Sequence, residues 1–87
     1  MLKWLQAWRE SRTLQVSWVS KGDAWHLDPT PISVRPTADY WEIYLHDFPT
    51  VLHYVNAEGA KRDALQMAQR KCLQMFGVSR VQLVDKP

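Results

Sequence analysis

The spacing of apolar side chains changes several times along this chain, and each change marks an element. Over residues 2–11, Leu2, Leu5 and Trp8 recur at three-residue spacing and Trp4 lies one turn before Trp8, which predicts a short helix. From Thr13 the period drops to two. Leu14, Val16 and Trp18 alternate with Gln15 and Ser17. Lys21-Gly22-Asp23 is a turn signal, after which Trp25 and Leu27 resume the alternation, so the two runs predict a hairpin. Residues 28–39 carry Pro29, Pro31 and Pro36, which cannot donate to a ladder; they predict a loop with a short edge strand through Ile32 and Val34. Residues 40–46 form the clearest strand, with Trp41, Ile43 and Leu45 facing one way and Tyr40, Glu42 and Tyr44 the other. His46-Asp47-Phe48-Pro49-Thr50 turns the chain, and 51–55 is the returning strand.

Asn56 is suited to cap a long helix over 57–76. At 3.6 residues per turn, Ala64, Leu65, Ala68, Cys72, Met75 and Phe76 share one face, opposite Arg62, Gln66, Gln69 and Arg70. Gly77 sits where a left-handed C-cap is wanted, and 79–84 reads as a last short strand with Val81 and Leu83 inward. The expected fold is a single α+β domain over residues 1–87. It has an antiparallel sheet of three to five strands, with the short N-terminal helix and the long C-terminal helix packed on one face.

Composition agrees with one soluble domain: 87 residues, 46% apolar and 23% charged. A domain this small depends on bulky side chains, and the five tryptophans, three tyrosines and two phenylalanines read first as packing. Their alternative use is as exposed rings that anchor a partner. The single cysteine excludes a disulfide framework and a cysteine-based zinc cage. The N-terminal apolar run is broken by Lys3 and Gln6, unlike a secretory signal, and no apolar stretch approaches a membrane span. A reducing cytoplasm is the expected location. Residues 1–12, with Trp4 and Trp8, offer a membrane nothing more than a helix to lie on its surface.

Catalytic patterns are missing. The chain has no Gly-x-Gly-x-x-Gly, no phosphate loop and no Gly-x-Ser-x-Gly elbow. Cys72 falls on the apolar helix face, where a free thiol is usually a small core residue. His26, His46 and His53 lack zinc-type spacing. A non-enzyme without metal or cofactor is expected.

Charge by segment says more than the net +2. Residues 1–12 and 57–76 each carry +2, whereas 13–56 carry −3, so the helices are basic and the sheet region acidic. Lys61 and Arg62 fall in the first turns of the long helix, where cations oppose the macrodipole. An anion docked there would account for them, because backbone N–H groups, dipole and two cations would converge on it. The simpler reading is that Glu58 and Asp63 offset the charge and the pair is a solvated surface.

Ala60-Lys61-Arg62-Asp63-Ala64, Ala68 and Cys72-Leu73, preceded by Glu58-Gly59, resemble the final helix of double-stranded RNA-binding domains. The order helix, strands, helix is also similar to that family. The resemblance implies that Lys61 and Arg62 bridge phosphates across a groove. Leu65 stands where the family has a third basic residue, and Lys21-Gly22-Asp23 replaces its Gly-Pro-x-His loop. Tyr44-Leu45-His46-Asp47-Phe48-Pro49, with Asp63-Ala64-Leu65 and Ala68, is similar to HicB-type antitoxin domains, with Thr50 in place of a glycine. That similarity implies a partner protein that the domain blocks.

Two functions follow as expectations. One is a nucleic-acid-binding module, with Lys61 and Arg62 as central phosphate contacts and Arg70, Lys71, Lys3 and Arg9 as outer ones. The other is a protein-interaction or inhibitor domain anchored by exposed Trp4, Trp25, Tyr40 and Tyr44 or by the acidic sheet. Homodimerisation through an edge strand at the proline-rich segment is a variant of the second.

Overall fold

The structure is a computed structural model that describes residues 12–84. The helix expected over 2–11, with Lys3, Arg9, Trp4 and Trp8, lies outside the described residues. Among the described residues five strands come first: β1 (Thr13–Lys21), β2 (Ala24–Asp28), β3 (Ile32–Pro36), β4 (Trp41–Leu45) and β5 (Phe48–Tyr54). Helices α1 (Ala57–Arg70) and α2 (Cys72–Phe76) follow, and β6 (Arg80–Leu83) is the last described element. The sheet order is β5-β4-β3-β2-β1-β6.

Three sequence expectations are corrected. First, the sheet is six-stranded and mixed, where an antiparallel one of three to five strands was expected. β1 to β5 form an antiparallel meander, but β6 pairs parallel with β1 through Leu14↔Val81 and Val16↔Leu83. The direction follows from the connection: the helical segment leaves β5 and returns down the sheet, so β6 must run the way β5 and β1 run.

Second, the proline-rich segment is not an edge. β3 lies between β2 and β4. It pairs with β2 only through Trp25↔Val34 and His26↔Ser33, so Pro31 and Pro36 fall outside that ladder and their missing N–H groups cost it nothing.

Third, the long helix over 57–76 is broken at Lys71 (φ −110°, ψ 24°). Ala60, Ala64, Ala68 and Cys72 are all buried. A strict four-residue spacing drifts by about 40° per step on a helix of 3.6 residues per turn. The break at Lys71 turns Cys72 back onto the sheet without needing a glycine or proline.

The caps follow their sequence signals. Asn56 Oδ1 accepts from Gly59 N at 2.8 Å, and Gly77 adopts φ 68° with its N–H donating to Leu73 O. The core between sheet and helix is aliphatic: Val16, Leu27, Ile32, Val34 and Ile43 meet the alanine stripe of α1, Cys72, Val78 and Val81. Trp18, Trp25 and Trp41 are only partly buried and flank this core.

β4 and β5 are joined by a tight hairpin in which Leu45 faces Phe48 and His46 has φ 57°. Between Glu42↔His53 and Tyr44↔Pro49 the register shifts, and Val51 there has φ 61°. A β-branched residue in the left-handed region is strained by roughly 1–3 kcal/mol. Val51 is also exposed, so its side chain contributes little packing. Val51→Gly is therefore expected to raise stability by about 1 kcal/mol in urea unfolding, whereas glycine in a regular strand lowers it. A loss of stability would contradict the strained bulge.

Candidate functional site

α1 stands as a ridge on the sheet with a groove along each flank. The groove on the β1/β6 side, about 480 Å³, is lined by Trp18, Glu58, Lys61, Arg62, Leu65, Leu83 and Val84. Here lie the two residues expected to hold phosphate. The Lys61 side chain is only 16% exposed. Its Nζ lies 3.9 Å from the Trp25 ring centroid, 5.5 Å from that of Trp18 and 3.9 Å from Glu58 Oε1. The alkyl stem covers apolar surface while the ammonium meets two negative ring faces. Glu58 supplies the acid that a first helical turn favours. Arg62 Nε is 3.6 Å from Asp63 Oδ1. The cations that looked out of place at the helix start thus have partners within the fold.

Arg70 and Lys71 lie on the other flank. They border a groove of about 230 Å³ with Ile43, Leu52, Tyr54, Asp63, Gln66 and Met67. Both are exposed, and neither forms an ion pair among the described residues. The four expected phosphate contacts that lie among the described residues therefore do not share one surface: Lys61 and Arg62 border one groove, Arg70 and Lys71 the other. Burial first, then the Asp63 carboxylate, holds the Tyr54 hydroxyl above the usual tyrosine range, against a smaller opposite pull from Arg62.

β5 is an edge of the sheet and is unusually apolar for one. Phe48 is 75% exposed, Val51 77%, Leu52 48% and Val55, just past the strand, 94%. Phe48, opposite Leu45, lies on the same sheet face as Leu52, which borders the groove. Sheet edges are normally protected by charge, proline or a bulge. Here the protection consists of Pro49 and the Val51 bulge, which interrupt a continuous ladder but leave the apolar side chains in water.

The face of the sheet opposite the helices carries polar groups that satisfy one another. Arg35 Nε donates to Ser33 Oγ at 3.1 Å, its guanidinium lies 4.4 Å from the Tyr44 ring centroid, and Nη2 reaches Asp47 Oδ1 at 3.2 Å. His53 stacks on Tyr40 at 3.8 Å and its Nε2 is 3.5 Å from Glu42 Oε2. Arg35, His53 and Lys61 thus lie against the rings of Tyr44, Tyr40 and Trp25, three of the aromatic anchors expected from the sequence. Among the described residues no group of three or more His, Cys, Asp or Glu is placed to hold a metal ion, and no helix is long and apolar enough to cross a membrane.

The exposed row on β5 was absent from the sequence expectations. Its signal was present: Val51, Leu52 and Val55 put apolar side chains on both faces of a strand, which only an interior strand should tolerate. No family model, no curated protein and no solved structure matches the chain.

Proposed function

We propose that this chain is a non-enzymatic protein-binding module that docks through β5 and the adjoining flank of α1. One observation carries the reading: Phe48, Val51, Leu52 and Val55 are exposed together along one edge of the sheet. Single exposed apolar side chains are ordinary, but four exposed within residues 48–55, at one edge of the sheet, mark a contact site. The similarity to antitoxin domains rests on residues 44–49 and 63–68, which belong to the elements bordering this surface. Phosphate binding is less well supported, because Lys61 is largely buried over Trp25 and the basic residues are divided between two grooves.

Affinity capture from the native host, with and without nuclease, tests the proposal when wild type is compared with Phe48→Asp/Leu52→Asp. Both positions are exposed, so the variant is expected to fold, which an unfolding curve checks. A protein retained after nuclease by wild type and lost from the variant is the expected result. An anchor residue of this kind carries at least about 2 kcal/mol, or roughly 30-fold in affinity. Equal capture by the variant, release by nuclease, or direct binding of a labelled RNA or DNA duplex at low salt would overturn the reading.

A further inference from the structure

Resting on that docking reading, we infer that the groove between β5 and α1 receives an acidic, apolar peptide segment of the partner. The groove's volume of about 230 Å³ decides the scale. Small-molecule sites usually occupy about 300–1,000 Å³. This one has room for one or two side chains of a larger molecule that continues over Phe48 and Val51. Leu52 and Ile43 belong to the sheet side of the groove and Met67 to α1; a thioether adapts to differently shaped side chains.

Charge selects the occupant's chemistry. Arg70 and Lys71 border the groove, exposed and without ion pairs among the described residues. Asp63, the groove's one carboxylate, stands beside Tyr54 and Arg62. The remaining field is positive, so an entering segment gains by presenting Asp or Glu next to its apolar residues. The bulge at Val51 interrupts any long added ladder, so side chains rather than backbone pairing set the recognition. The competing explanation for Arg70 and Lys71 is that they only complement the C-terminal dipole of α1. The two explanations differ in what substituting these residues does to ligand preference.

The test pans a random peptide library on phage against the full 87-residue chain, in parallel with Leu52→Asp and Arg70→Gln/Lys71→Gln. Peptides combining apolar residues with Asp or Glu are expected from wild type and none from Leu52→Asp. The Arg70→Gln/Lys71→Gln chain is expected to keep the apolar preference and lose the acidic one. It should bind the best wild-type peptide about 2- to 30-fold more weakly, the range for two exposed charge pairs. Selected peptides no richer in Asp and Glu than the starting library, or the same acidic peptides from the double-Gln chain, would overturn the inference and leave the docking reading standing. Equal selection by Leu52→Asp would overturn the docking reading itself. No enrichment on wild type would overturn the inference.

Discussion

Replacing Ile32 with alanine is expected to remove about 2–5 kcal/mol of folding free energy. Ile32 is 0% exposed on β3, the third of six strands, and pairs with Leu45. The size of the loss depends on whether the site can collapse. Here it has little freedom, because β3 is held on both sides by strands and the helix above presents Ala60, Ala64 and Ala68. Alanine has no side-chain atoms beyond Cβ to swing into a void. A domain of this size has a total stability at the low end of roughly 5–15 kcal/mol, so the variant should be largely unfolded on modest warming. Urea unfolding monitored by tryptophan fluorescence measures it, with an unchanged slope showing that the same transition is being compared. A loss below about 1 kcal/mol would mean that α1 is not seated over β3.

Lys61→Glu should cost about 2 kcal/mol or more, although a lysine-to-glutamate change on a helix surface is ordinarily near neutral. The ammonium over the Trp25 ring contributes about 0.5–2 kcal/mol, more where water is excluded. Glutamate would place a carboxylate against the negative face of the same ring and one turn from Glu58. Lys61→Met keeps much of the stem packing and loses only the charge, so about 1 kcal/mol is expected. The pair separates two roles for this residue. If Lys61→Glu proves as stable as wild type, the side chain is free in solution and the phosphate-binding role regains its main support.

Much of the local structure was legible because it is set by short-range rules. The alternation of Trp41, Ile43 and Leu45 placed β4 and its buried face, Asn56 marked the start of α1, and Gly77 marked the end of α2. The strands flanking Lys21-Gly22-Asp23 form the expected hairpin, with Gly22 at φ 64°. What stayed hidden depends on contacts distant in sequence. Four residues at 80–83 carry no mark of which strand they will join or in which direction. With β6 on the free side of β1, β5 remains an edge, and Phe48, Val51 and Leu52 are exposed there. The break at Lys71 has no glycine or proline to announce it. The site divides in the same way. The cations of α1 could be read directly, but Trp18 and Trp25, which lie beneath Lys61, come from a distant hairpin whose register with the helix only the fold specifies.

The most direct measurement of the docking surface is amide chemical-shift mapping of the isotope-labelled chain, free and bound to the protein captured from its host. The largest changes are predicted along residues 48–55 and on the α1 flank at Asp63, Met67, Arg70 and Lys71, with Ser17, His26 and Ser33 on the opposite sheet face unmoved. Changes centred instead on Arg62, Leu65 and Leu83, with β5 silent, would contradict the account.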